Sequence, residues 1–152
     1  MPCSVREATP NDEQQIRALL SLVIHESLDA TVHNIPSILN NVNDNVDLWR
    51  TAPDNIVHLV AEMDGRLVGV IMIKEFWNFC SLFVDPSYQR RGIGRQLVKI
   101  AVEKCRGRCP HDVIYMHANN EAVDFYRKLG FEVNNTSRTP PAGSTEMKLR
   151  LV

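Results

Sequence analysis

The chain of 152 residues has no uncharged apolar run approaching the ~18 to 20 residues that a membrane span requires. Its opening stretch, MPCSVREATPNDE, also lacks the apolar core of a secretory signal. Both absences predict a cytoplasmic protein without membrane contact. Cysteine is sparse: Cys3, Cys80, Cys105 and Cys109 are too few and too unevenly placed for a disulfide scaffold, which agrees with a reducing compartment. Net charge is nearly absent, 17 Lys+Arg against 18 Asp+Glu, so no overall field draws the molecule to nucleic acid. Any polyanion must be met locally. Seven glycines and eight prolines, with 44% hydrophobic and 23% charged residues, exclude fibrous, disordered and coiled-coil compositions. At ~100–200 residues per domain, residues 1–152 read as one globular domain without room for a second substrate domain.

A metal centre is not expected. Cys105-x3-Cys109-x-His111-x5-His117 holds ligand types that zinc accepts, but finger-type sites separate the Cys and His pairs by roughly twelve residues. His117 also falls at the end of an apparent strand.

The periodicity predicts mixed α/β structure. A short strand at Val5–Ala8 leads into Thr9-Pro10-Asn11-Asp12, a helix start with Thr as N-cap, Pro at N1 and an acidic first turn. Ile16, Leu19, Leu20, Val23 and Ile24 then recur at three- and four-residue steps, giving one buried stripe through Glu26. A second helical segment, Ser37 to Arg50, is interrupted by Asn40, Asn41, Asn43 and Asn45 and is expected to pack poorly. Three apolar runs follow, Ile56–Met63, Leu67–Phe76 and Phe79–Val84, the first two joined by the hairpin signal Asp64-Gly65. A long helix runs from Ile93 to Arg106, then a strand at Val113–His117 and a short helix at Ala122–Leu129 closed by Gly130. Two last strands, Phe131–Val133 and Thr145–Val152, flank the loop 134–144. The order β-α-α-β-β-β-α-β-α-β-β implies one mixed sheet, antiparallel in its first half, with a crossover helix that allows a parallel return.

The sharpest local feature is Gln89-Arg90-Arg91-Gly92-Ile93-Gly94-Arg95, a turn between a buried strand and the long helix. Glycines at a first helical turn leave free N–H groups uncovered, and those groups with the helix dipole bind phosphate oxygens. The three arginines add charge, so a diphosphate is the natural guest. No Lys-Ser/Thr pair follows, which excludes a nucleotide-hydrolysing P-loop, and Leu97 stands where a dinucleotide fingerprint needs its third glycine.

Gln89-x-x-Gly92-x-Gly94 after Val84-Asp85-Pro86 closely resembles the acyl-CoA-binding motif of the GNAT superfamily of N-acetyltransferases. A second landmark of that family stands in Asn119-x2-Ala122-x2-Phe125-Tyr126-x-Lys128-x-Gly130-Phe131. With the element order, the resemblance covers essentially the whole chain. It implies an acetyltransferase that takes acetyl-CoA as cosubstrate and passes the acetyl group directly to a primary amine of a small molecule or peptide. It places the pyrophosphate on Gln89, Arg90, Arg91, Gly92, Ile93, Gly94 and Arg95, and the pantetheine arm along Leu82, Phe83 and Val84 with a contact from Asn119. An N–H of Phe83 or Val84 would hold the thioester carbonyl, and Tyr126 would protonate the departing thiolate.

A base is required, because an amine of pKa ~10.4 is almost wholly protonated at neutral pH. No motif fixes it; Glu75 and His117 are the candidates. Ile114 occupies the position twelve residues before Tyr126, where some family members acting on protein N-termini carry glutamate. Cys80 reads as core. Two other classes stay open: a non-catalytic acyl-CoA-binding module, and a nucleotide-binding regulatory domain using the same turn. A homodimer is compatible with this pattern, with neither membrane nor nucleic acid as partner.

Overall fold

The computed structural model describes residues 3–136 and 138–152. The elements follow the expected order: β1 (Ser4–Glu7), α1 (Glu13–Ser27), α2 (Ile35–Thr51), β2 (Ile56–Met63), β3 (Arg66–Lys74), β4 (Asn78–Val84), α3 (Ile93–Cys105), β5 (Val113–Asn119), α4 (Val123–Lys128), β6 (Glu132–Val133) and β7 (Ser144–Arg150). The seven strands form one sheet in the order β1-β2-β3-β4-β5-β7-β6, antiparallel except for the β4–β5 pair. Alternation along β2 and β3 sends Val60, Val70 and Met72 to a core under α1 and α2, and Leu59, Ile71 and Ile73 to a second core that α3 and α4 cover. Among the described residues no helix is long and apolar enough to cross a membrane, and no group of three His, Cys, Asp or Glu side chains is arranged to hold a metal ion.

The second helix departs from the sequence expectation. It spans two further residues at its start and buries Val42, Val46 and Trp49 against α1 and the sheet. Asn40 and Asn41 are exposed, but three other asparagines have partners. The Asn34 side chain caps the first turn by accepting the Ser37 N–H at 3.1 Å. Buried Asn45 accepts from Lys74 Nζ at 2.8 Å, and Asn43 accepts from Arg17 on α1 at 2.8 Å. Low helix propensity is outweighed by these tertiary partners. The first helix likewise starts later than Pro10: Thr9 leads into a short 3-10 turn, Pro10–Asp12, before α1 begins at Glu13.

Asp12 anchors that turn. Its carboxylate accepts from the Thr9 N–H and from both terminal nitrogens of Arg6, at 2.8 and 2.9 Å. The Arg6 guanidinium holds the carboxyl down at about 2 against the opposing effect of burial. A carboxylate with a depressed native pKa contributes stability that is full above its ordinary value of about 4 and is lost as pH falls through the native value. Asp12→Asn should therefore lower the urea midpoint near neutral pH, with the gap to wild type closing at strongly acid pH. A gap independent of pH would contradict this account.

Gly69 on β3 lies under α3. A Cβ there would stand 2.9 Å from Leu97 Cδ1 and 3.1 Å from Ile93 Cγ2. The missing side chain lets the helix sit close to the sheet and sets where its first turn falls. Gly69→Val should cost about 1–3 kcal/mol in denaturant unfolding through overpacking; unchanged stability would show that the contact is not tight.

Candidate active site

The parallel strands β4 and β5 pair over only two rungs, Asn78 with Tyr115 and Phe79 with Met116, reinforced where the Tyr115 N–H donates to the Trp77 carbonyl at 2.9 Å. Beyond Phe79 they part. The cause lies in the β3–β4 register, which shifts between Met72–Ser81 and Ile73–Phe79 and leaves Cys80 as an extra residue. Such a bulge bends and twists its strand. Cys80 is held there by its thiol, which donates to the Met72 carbonyl at 3.5 Å, and burial pushes that thiol up to about 11, so it is core and no nucleophile.

Hydrogen-bond alternation then decides which backbone groups face the gap. The Asp85 N–H donates to the Val68 carbonyl at 2.8 Å, so Asp85, Phe83 and Ser81 pair with β3, while Leu82 and Val84 point their N–H and C=O groups away from it into the fork. The Phe83 N–H, one of two expected thioester donors, is therefore spent within the sheet, and Leu82 joins Val84 in its place. On the opposite wall the Leu151 N–H donates to Asp112 and the Asn120 N–H to Gly143. In that register Ile114, Met116 and Ala118 pair with β7, and His117 and Asn119 face the fork. The result is a slot between two half-used strand edges, shaped for one extended chain bearing amides.

The long helix opens at the same end. Gly92 is its N-cap with φ of +79°, a left-handed conformation that favours glycine, and nothing lies within 4 Å of where its Cβ would be. Gly94 faces Phe125 and Val84, at 3.4 and 3.7 Å from its would-be Cβ, so a side chain there would fill the corner between helix and slot. The first-turn N–H groups of Ile93, Gly94 and Arg95 have no intrahelical acceptors. Ile93 itself is buried against the sheet and offers only its backbone. Gln89 is turned to the strand, its amide donating to the Val84 carbonyl at 3.2 Å. A groove of about 350 Å³ runs back along the helix past Arg95, Gln96 and Lys99.

Sequence reasoning missed part of this charge. Arg66, which opens β3, pairs with buried Asp85 at 3.4 Å and lies 5.5 Å from the Tyr88 ring centroid, with Arg91 at 5.2 Å from the same ring. Arg66 was findable: the Asp64-Gly65 hairpin puts the start of β3 beside the end of β4. Arg66, Arg90, Arg91, Arg95 and Lys99 thus gather at one helix N-terminus on a molecule with almost no net charge.

Tyr126 stands at the crotch of the fork. Its ring meets Phe79, the last paired residue of β4, edge-on at 5.8 Å, and Phe131 at 5.6 Å. The residue is 6% exposed, its hydroxyl has no hydrogen-bond partner among the described residues, and burial raises its pKa well above the phenol value. The Asn119 side chain makes no helix-capping bond. His117 is half exposed on the uncovered face of β5, with Nε2 at 3.9 Å from Glu146 on β7, whose carboxylate also accepts from Asn134 at 2.6 Å. Glu75 does not join this group. It lies in the β3–β4 turn at the closed end of the fork, with φ of 54°, accepting from Trp77 Nε1 at 3.1 Å.

One strap crosses from the helical half to β5 and β7. His33, in the α1–α2 loop, is buried with Nε2 at 3.5 Å from Glu121, just beyond β5. Gly143 packs so closely that a Cβ would stand 2.7 Å from Val32 and 2.8 Å from His33. The strap walls the open end of the slot.

Residues 42–151 match the family described as the acetyltransferase (GNAT) domain. The peptidyl-lysine N-acetyltransferase YiaC of Escherichia coli is 32% identical over 120 residues, 77% of this chain and 80% of that protein. An uncharacterized N-acetyltransferase of Methanocaldococcus jannaschii, MJ1207, is 32% identical over 96 residues, which span 55% of this chain and 42% of that one. In fold the chain is similar to a GCN5-related N-acetyltransferase from Rhodopseudomonas palustris, with TM-score 0.80 and 20% identity over 99% of this chain and 97% of that one. It is also similar to the PaiA N-acetyltransferase of Thermoplasma acidophilum, solved in complex with coenzyme A, with TM-score 0.76 and 18% identity over 99% of both chains. By the family match across most of its length, the chain belongs to the GNAT acetyltransferases.

Proposed function

We infer that the protein is an acetyl-CoA-dependent N-acetyltransferase whose acceptor is a primary amine on a peptide or a small molecule. The observation that carries this reading is the convergence, at one end of the sheet, of an amide-lined slot with a glycine-capped, arginine-rich helix N-terminus. A diphosphate on a chain of amides fits both parts at once. The residues present suit coenzyme A: Ile93, Gly94 and Arg95 N–H groups with Arg66, Arg91 and Lys99 would hold its phosphates, and Leu82, Val84, His117 and Asn119 its amide arm. Acetyl-CoA supplies an activated acetyl group and a thiol as leaving group.

The chain's own residues then divide the work. The Leu82 and Val84 N–H groups present preorganised donors for a carbonyl oxygen that gains charge. Tyr126, kept protonated by burial, donates its proton to the departing sulfur. His117, carried beside Glu146 on the uncovered face, takes the proton from the attacking nitrogen. Glu121 and Glu146 make the acceptor side anionic, which suits an ammonium-bearing substrate. The names of the YiaC relative and of YjaB from Salmonella typhimurium, 33% identical over 72 residues, favour a lysine side chain in a peptide.

The direct test is thiol release from acetyl-CoA across lysine peptides, free amino acids and polyamines. Tyr126→Phe keeps the aromatic packing and should lower kcat about 10²-fold or more with coenzyme affinity unchanged; an unaltered rate would remove Tyr126 from the chemistry. Gly94→Glu should abolish coenzyme A binding in calorimetry without unfolding the chain, and Arg66→Gln should weaken it most at low ionic strength. Loss of affinity insensitive to salt would contradict an electrostatic role for Arg66. His33→Ala, which frees the strap, should raise the acceptor KM more than it lowers kcat; an equal fall in kcat with KM fixed would place its effect elsewhere.

A further inference from the structure

A row of three polar side chains crosses the half of the sheet that α1 and α2 leave uncovered. His117 on β5 stands opposite Glu146 on β7, and the Asn134 N–H, just past β6, donates to the Glu146 carbonyl at 2.9 Å. Ile114, Met116 and Ala118 face the core under α3 and α4, so Tyr115, His117 and Asn119 lie on the opposite side of the sheet. The bonds from the Leu151 N–H to Asp112 and from the Asn120 N–H to Gly143 put Ile114, Met116 and Ala118 in the hydrogen-bonded rungs. His117 and Glu146 therefore share a non-hydrogen-bonded rung, the kind that brings facing side chains closest. His117 is also the first residue of β5 beyond the last rung shared with β4, Phe79 with Met116, so it stands where the fork begins.

The Glu146 carboxylate is committed on one side only. Its Oε2 accepts from Asn134 Nδ2 at 2.6 Å, while Oε1 is the oxygen that faces His117, 3.9 Å from Nε2. The Glu146 side chain is 13% exposed against 50% for His117, so the acid is the sheltered member of the pair. Lys148, diagonal to His117 on β7, reaches instead to Glu132 on β6 at 4.0 Å, and among the described residues no lysine or arginine pairs with Glu146. Its free oxygen is left to the imidazole. The gap exceeds a hydrogen bond, as contacts between catalytic groups often do before substrate binds and closes them.

We propose that Glu146, anchored by Asn134, is a positioning residue that holds the His117 ring with its Nε2–H toward the carboxylate and its Nδ1 turned to the incoming amine. The role rests on the reading of His117 as the base. A carboxylate only accepts, so it selects the tautomer protonated at Nε2 and leaves Nδ1 with the free lone pair. One proton leaves the acceptor nitrogen for Nδ1, and the nitrogen keeps its electron pair for the thioester carbon. The imidazolium so formed retains its Nε2 proton and meets the charge of Glu146, which itself takes no proton. The half-exposed ring then returns the Nδ1 proton to water.

Steady-state kinetics with the best acceptor of the panel above separates this role from simple attraction of a cationic substrate. His117→Gln should lower kcat about 10²-fold. Glu146→Gln should lower kcat about tenfold, more than it raises the acceptor KM, and Asn134→Ala about threefold. Adding Glu146→Gln to His117→Gln should cost nothing further, because the two side chains act through one proton transfer. Melting temperature and coenzyme A affinity should match wild type throughout, which keeps a folding defect apart from a catalytic one. If His117→Gln leaves kcat unchanged, the base assignment falls and the role of Glu146 falls with it. If His117→Gln is impaired but Glu146→Gln raises only the acceptor KM, or costs as much in the double variant as alone, the positioning role is overturned and His117 stands as the base.

Discussion

The parting of β4 from β5 is the constraint on which the rest of the molecule depends. Had the two parallel strands paired along their full length, the inward N–H and C=O groups of Leu82, Val84, His117 and Asn119 would have been consumed by the ladder. The bulge at Cys80 prevents that by turning β4 away after Phe79. A guest that presents amides at strand spacing could take up the edge groups left free, and would pair them away from water as it covered them. An open strand edge elsewhere would invite another copy of the chain. Here it is recessed, and the strap through His33 and Gly143 closes over one end.

The element order was legible because it rests on periodicity, and apolar spacing survives in single elements whatever their partners. The glycine turn was legible for a similar reason: its chemistry is local, carried by backbone between Gln89 and Arg95. What could not be seen was pairing. Leu82 and Val84 face the slot and Phe83 does not because of one register shift, and a bulge at Cys80 has no composition signal in Asn78–Val84. Glu75 was judged by its place at a strand end, but an antiparallel hairpin sends the end of β3 to the start of β4, the closed side of the fork. The asparagines of α2 read as helix-weakening because their partners, Lys74 and Arg17, are distant in sequence.

Charge is sorted on a chain that carries almost none in sum. The basic residues at the start of α3 reinforce a dipole end that is already positive and surround free N–H groups, so a phosphate there gains from three sources at once. Glu121 and Glu146 sit at the other wall of the fork, with histidines rather than arginines beside them. An acidic wall opposite a basic one separates the place for a polyanion from the place for a cation, and it also orients their approach. The fold achieves this without a field over the whole surface.

Tyr126 joins the architecture to the proposed chemistry in one side chain. Its ring, with Phe79 and Phe131, packs the crotch where the strands separate, and edge-to-face aromatic pairs of this kind are worth about 0.5–1.5 kcal/mol beyond the area they bury. The same packing buries the side chain and, with no cation beside it, disfavours the phenolate. A group so placed stays protonated at neutral pH, as the proton donor proposed for the departing thiolate must. The aromatic clamp that fixes the angle of the fork therefore also sets the protonation state of the group inside it, and replacing the ring by an aliphatic residue would disturb both at once, whereas removing the hydroxyl alone separates them.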